Sequence, residues 1–262
     1  MARTPDGPPP PPAVQKLRLR YAKRGRLRFS SHRDFQRALE RALRRSAVPM
    51  AYSAGFTPHP KVSYANAAPT GTASEAEYVE LSVTRRVDPE ALRAALDSSL
   101  PQGLDVLEVV EAAPGALADR LEASEWEMVL PGVAPTVLQQ ALTELLSRPQ
   151  VDVQRLMKTG MRTFDARGPI ALAVVIDPSA ARSEAGRASG SGPGDCAILR
   201  MVVRHTTPAV RPDDVLAALR VVADLVPPSP AQVTRLAQGP LDAAGAVADP
   251  LAAGDHGGDA RG

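Results

Sequence analysis

The sequence has almost no cysteine. Cys196 stands alone among 262 residues, so no disulfide forms within the chain, which suits a reducing cytoplasm. One cysteine also excludes an iron–sulfur cluster or a multi-cysteine zinc finger held by this chain alone. Histidine is nearly as scarce. His32, His59, His205 and His256 show no metal-ligand pairing and no Ser-His-Asp spacing, so neither a metal nor another cofactor is expected. Aromatics make up only 3% of the residues. No apolar run approaches the ~20 residues of a membrane span, and the N-terminus lacks the positive-then-apolar pattern of a signal peptide. A cytoplasmic protein with no membrane contact is the expectation.

What the chain has in quantity is arginine, 27 residues against 4 lysines, together with alanine and proline. Much of that reflects a GC-rich coding bias, but the placement of charge is uneven. Residues 16–45 hold twelve Lys/Arg against Asp34 and Glu40, a local charge of +10, which leaves −8 for the rest of a chain whose net charge is +2. Such asymmetry suits a polyanionic partner or the acidic surface of another protein.

Pro8–Pro12 mark a disordered tail over 1–14, and the Ala/Gly/Asp-rich stretch 239–262 reads as another. A Gly/Ser-rich internal stretch, 182–195, reads as a flexible loop. Between them one order of elements repeats. Lys16–Tyr21 alternates charged and apolar residues as a strand does, and Leu27 and Phe29 resume the alternation after a turn. Ser30 or Ser31 then caps a helix to about Ser46, which gathers Phe35, Ala38, Leu39, Ala42 and Leu43 on one face and Arg33, Arg37, Arg41 and Arg44 on the other. Strands follow at 62–65 and 78–84, a helix after Asp88, and a strand at 104–110. The second half runs strand 125–130, helix 134–146, strands 151–157, 170–176 and 196–204, helix 212–222 and strand 233–236. The expectation is an α+β protein of two tandem ferredoxin-like βαββαβ units, 15–113 and 120–238.

The most distinctive local feature is Ser53-Ala54-Gly55-Phe56-Thr57-Pro58-His59-Pro60-Lys61-Val62-Ser63-Tyr64. Two prolines push Thr57 and His59 to extended geometry. Rigid polar loops on a scaffold often carry function. Tyr52, Phe56 and Tyr64 are candidates to stack on bases, with core packing expected for at least two of them. Gly55 suits a positive φ. If the helix arginines merge with Lys16, Arg18, Arg20 and Lys61, the surface resembles a phosphate-tracking groove. His59 is a weak catalytic candidate, a possible general acid or base. Glu80 suits the role of orienting an arginine. Arg155, Lys158, Arg162 and Arg167 form a second, weaker basic group.

Arg28-Phe29-Ser30-Ser31-His32-Arg33-Asp34, Arg41-Ala42-Leu43-Arg44-Arg45, the 51–64 motif and Glu75-Ala76-Glu77-Tyr78 resemble the radical-SAM-linked protein family. That resemblance implies a bacterial accessory domain whose partner is a cobalamin-binding radical SAM protein. This chain lacks both the three-cysteine cluster motif and the cobalamin motif, so it is not the radical enzyme by itself. Three functions stay open. The first is an RNA-binding or substrate-presenting module, with binding candidates Arg33, Arg37, Arg41, Arg44, Ser53, Gly55, Phe56, Pro58, His59, Pro60, Lys61 and Tyr64. The second is an adaptor that docks the radical SAM protein without nucleic acid. The third is a metal-independent endoribonuclease using His59.

Overall fold

The computed structural model of the chain describes residues 10–54, 56–157, 160–176 and 196–252. They form two compact units. The first runs to Arg120 and resumes at Asp249; the second spans Leu121–Ala248. Four α-helices and ten strands lie among the described residues, an α+β fold.

In the first unit, β1 (Gln15–Lys23), α1 (His32–Arg45), β2 (Val62–Ala65), β3 (Ala73–Val83), α2 (Pro89–Ser99) and β4 (Val106–Glu111) follow in order. The sheet is antiparallel with β1 between β4 and β3, and β2 on the far side of β3. Alternation along β1 sends Leu17, Leu19 and Tyr21 to one face, where they meet Phe35, Leu39 and Leu43 of α1 and Leu92 and Leu96 of α2. α1 starts where it does because Ser31 and Asp34 form a reciprocal capping box. Asp88 caps α2 by accepting from Ala91 N–H at 3.1 Å.

The same alternation sends Lys16, Arg18 and Arg20 to the sheet face opposite the helices. The strand and helix stripes of basic residues therefore do not merge. Leu27 and Phe29 do not continue a strand either. Gly25 takes a φ of +54° and starts a 3-10 turn, Gly25–Phe29, closed by bonds from Leu27 N–H to Arg24 O and from Ser30 N–H to Leu27 O.

The second unit contains β5 (Ala123–Pro131), α3 (Pro135–Ser147), β6 (Asp152–Met157), β7 (Gly160–Asp165), β8 (Ile170–Ile176), β9 (Cys196–Arg204), α4 (Pro212–Ala223) and β10 (Gln232–Gly239). Its sheet is antiparallel in the order β10-β5-β9-β8. Met128, Leu130, Leu199 and Met201 pack there against Leu138, Leu142 and Leu145 of α3 and Val215 and Leu219 of α4. β6 and β7 form a separate two-stranded hairpin. β7 is absent from the sequence reading, because Gly160-Met161-Arg162-Thr163 offers no alternation of apolar and polar residues.

Each unit carries a hairpin in the connection between its first helix and the second strand of its sheet. In the first unit the chain leaves α1, bridges Met50 to Val83, and turns back so that Tyr52 bridges Pro60. In the second unit the same connection holds β6 and β7. Residues 240–252, expected in an unstructured tail, instead make a bridge between Leu241 and Val247, and Leu251 is buried. Asp242 is the reason: its carboxylate accepts from Ala244 and Ala246 N–H and fixes a turn. The expected loop at 182–195 lies outside the described residues.

Candidate nucleic-acid interface

The basic cluster divides into cations that are held and cations that are open. On the sheet, Arg18 is 1% exposed and binds Glu80 at 3.1 Å and the carbonyl of Gly115. Lys16 reaches the same carboxylate at 3.0 Å, so Glu80 does orient an arginine. Arg20 pairs with Glu108 at 3.3 Å, and Arg24 is gripped by Glu75 and by Asp105, the latter at 2.7 Å. Those two carboxylates hold the Arg24 guanidinium further up in pKa than its ordinary value. Lys23 is buried, with its ammonium donating to the carbonyls of Ala68 and Pro69. Local fields here are largely cancelled.

Among the described residues of this cluster the open cations lie mostly on α1, with Arg26 in the turn before it exposed as well. Arg33, Arg37, Arg41 and Arg44 are all exposed, because burying Phe35, Ala38, Leu39, Ala42 and Leu43 turns the opposite stripe to water. None of the four makes a hydrogen bond or ion pair among the described residues. Arg37 acts only through space on Asp34, whose carboxyl sits below its usual range chiefly because Ser31 donates to it. Arg45, one turn on, is occupied by the carbonyl of Ser99 at 3.0 Å. A shallow cleft of ≈ 280 Å³ opens beside it, lined by Ala38, Arg41, Arg45, Ser98, Ser99, Leu100 and Pro101.

The 51–64 motif folds as the first unit's hairpin. Ser53 N–H donates to His59 O at 2.9 Å, and His59 N–H donates to Ser53 Oγ at 3.0 Å. Lys61 N–H donates to Ala51 O at 2.8 Å and closes the base, and Ala51 N–H to Ser82 O at 2.8 Å and Ser82 N–H to Lys61 O at 3.1 Å tie it to β3. These bonds explain the residue types: Ser53 supplies an acceptor, and Pro58 and Pro60 keep the return arm extended. The side chains of Phe56, Pro58, His59 and Lys61 are exposed. Phe56 is 69% exposed and Tyr52 41%. Gly55 lies outside the described residues.

Tyr64 behaves differently. Its ring packs edge-on to His32 at 4.7 Å and to Phe35 at 6.0 Å, and burial pushes its hydroxyl up to about 12. Of the three aromatics around the motif only Tyr64 joins the core, where the sequence reading favours at least two. An exposed aromatic that reading assigned to a strand is Phe29, 60% exposed, with the Arg28 guanidinium 4.8 Å from its ring centre. His32 is engaged by Gln36 at 3.0 Å as well as by Tyr64.

The second basic group is mostly structural. Arg155 binds the buried carboxylate of Asp214, donates to Ala209 O at 3.0 Å and lies 4.8 Å over the Phe164 ring. Arg167 spans the carbonyls of Ile170 and Leu146. Arg162 is exposed, and Lys158 lies outside the described residues.

One arrangement was invisible to sequence spacing. Ser124 Oγ lies 2.8 Å from His205 Nε2, and His205 Nδ1 lies 2.7 Å from Leu121 O. A carbonyl only accepts, so Nδ1 carries the proton and Nε2 accepts from the serine. The geometry resembles an activated nucleophile, yet Ser124 is 1% exposed, which seals its hydroxyl from any substrate. Residues 81 positions apart leave no local signal. Among the described residues no group of His, Cys, Asp or Glu could hold a metal ion, and no helix is long and apolar enough to cross a membrane.

An α+β protein whose first unit carries an exposed row of arginines on one helix and a hydrogen-bonded, aromatic-bearing hairpin on its sheet is the class these features define. The chain belongs to a bacterial family: residues 16–212 match the family described as an uncharacterized protein conserved in bacteria, DUF2344. No curated protein matches the chain closely enough to count as a relative.

Proposed function

We propose that this protein binds RNA through the outer face of α1 and presents it to a partner enzyme. The observation that carries the reading is the contrast between compensated and open charge. Lys16, Arg18, Arg20 and Arg24 are matched by Glu80, Glu108, Glu75 and Asp105, whereas Arg33, Arg37, Arg41 and Arg44 are exposed and make no hydrogen bond or ion pair among the described residues, with the acid Glu40 on the same face of the helix. Like charges along one helix face repel one another, so a row left open is explained by an external polyanion. Phosphate contacts of this kind give salt-dependent, sequence-tolerant affinity. The radical SAM protein as recipient rests on the motif resemblance, and His59 serves binding in this reading.

The duplicated architecture belongs to the same proposal. Both units follow the βαββαβ order, and both sheets place the fourth strand beside the first, then the third, then the second. That shared order supports a tandem ferredoxin-like duplication with a hairpin inserted at the same step of each copy.

A salt-titrated binding assay on wild type and an Arg33→Glu/Arg37→Glu/Arg41→Glu variant tests the reading. All three side chains are exposed, so the variant is expected to melt as wild type does while losing RNA affinity by at least tenfold at low salt. Undiminished affinity in the variant, or none in the wild type, rejects the interface. Co-purification of the radical SAM partner that survives nuclease treatment and is lost in the same variant assigns α1 to protein docking instead.

A further inference from the structure

Three aromatic side chains of the first unit stand in water: Phe56 at 69%, Phe29 at 60% and Tyr52 at 41%. In a chain with only four phenylalanines and four tyrosines, this forgoes a large share of the apolar area that aromatics ordinarily bury. Their surroundings are polar and cationic. Phe56 shares its hairpin with Ser53, Thr57, His59 and Lys61. Phe29 holds the Arg28 guanidinium against its ring. A protein-binding hot spot is normally an aromatic in a well-packed pocket surrounded by contacts that exclude water; these rings project into water from a hairpin and a turn.

Their position relative to α1 adds a second argument. Phe29 ends the 3-10 turn two residues before the N-cap Ser31, and Tyr52 begins the hairpin six residues after the C-cap Ser46. The helix between them spans about 21 Å. The row of open arginines thus has an aromatic before it and two after it in the chain. Both mounts are braced by backbone bonds: Gly71 N–H donates to Arg28 O at 2.7 Å, and Ser53 and His59 close the hairpin.

We propose that Phe29, Phe56 and Tyr52 are stacking platforms for unpaired bases, so that the ligand of α1 is single-stranded rather than duplex RNA. The proposal rests on the reading that α1 binds nucleic acid. Every base has a π-face, so stacking is tolerant of sequence. In a duplex those faces are hidden between neighbouring pairs, and a surface aromatic reaches only bases that are splayed out. The arginines hold the phosphates, and the aromatics choose the strand state.

The test uses the full-length protein, a mixed-sequence 12-nucleotide RNA, and the same RNA annealed to its complement, at one fixed salt concentration. Wild type is expected to prefer the single strand. Phe56→Ala and Phe29→Ala should each weaken single-strand binding roughly 5- to 150-fold and leave duplex binding unchanged. Phe56→Trp should keep the affinity and show fluorescence quenching on single-strand addition, against a constant background from Trp126, which is 6% exposed. If the alanine variants bind both forms as wild type does while the triple arginine variant binds neither, the stacking proposal fails and the α1 interface stands. Binding of neither form by wild type removes both. Loss of the radical SAM partner rather than of RNA in Phe56→Ala also overturns it, by making the aromatics a protein contact.

Discussion

Arg18 shows how much one residue's environment decides. Its guanidinium is 1% exposed, and it relies on Glu80 for charge. Removing one partner of a buried pair leaves the other uncompensated and costs about 3–5 kcal/mol. Glu80→Gln is therefore expected to lower the urea midpoint sharply. Lys16→Ala, which removes an ion pair whose lysine is 58% exposed, should change stability by less than about 1 kcal/mol. His205 makes a second prediction. Burial holds its pKa below 6.5, against the hydrogen bond from its ring to Leu121 O. The unfolded chain then binds the proton more readily. The stabilisation from neutral His205 is complete above about pH 6.5 and is lost as pH falls through the lowered folded value. Urea midpoints should drop from pH 7 to pH 5, and the drop should be smaller in His205→Gln. The sequence pointed to Glu80 as the acid that orients an arginine, but not to the burial of Arg18 or to the His205 site, because these depend on partners far away in the chain: Glu80 and Gly115 for Arg18, Leu121 and Ser124 for His205.

Elements were more legible than residues. α1 was readable from its five-residue apolar face and its Ser-x-x-Asp start, since helix period and capping are local properties. Ser31→Ala removes the cap and is expected to cost about 1 kcal/mol, seen as a lower thermal midpoint together with weaker far-ultraviolet helicity. Leu27 and Phe29 misled because two apolar residues at strand spacing look alike in a strand and in a 3-10 turn. Only the positive φ of Gly25 separates them. β7 stayed hidden for the opposite reason. Its first four residues are exposed on both faces, so no alternation of apolar and polar residues is required of them. The hairpin of 52–60 was legible as a rigid loop from its prolines, but the bonds that close it run through Ser53 Oγ and the backbone of His59, which no spacing rule announces.

At the scale of the whole molecule, the +10 segment overstates the field that a ligand meets. Cations on β1 and at Arg24 are matched by carboxylates from β3, β4 and their flanking loops, and Arg45 is engaged by a carbonyl. About four to six open cations remain around α1 and the hairpin. For single-stranded RNA the logarithm of affinity falls with the logarithm of salt concentration by about 0.7 per neutralised phosphate. Under the proposal that α1 binds single-stranded RNA, the expected slope is therefore about −3 to −4. A slope near −8, which twelve working cations would give, would mean that the sheet ion pairs open on binding. Charge asymmetry was visible in the sequence; its cancellation was not, because the neutralising acids are supplied by other strands.

The two hairpins sit at the same step of the chain path, after the first helix and before the second strand of each sheet. Both are anchored, the first at its base by Ala51 N–H to Ser82 O and Ser82 N–H to Lys61 O, the second by the ion pair of Arg155 with Asp214. Each hairpin is thus an appendage to its unit's sheet rather than one of the sheet's strands. One carries Tyr52 and Phe56. The other carries Leu156 and Met161, paired across β6 and β7 and exposed. These side chains face water, so substitutions there are expected to leave the thermal midpoint close to that of wild type.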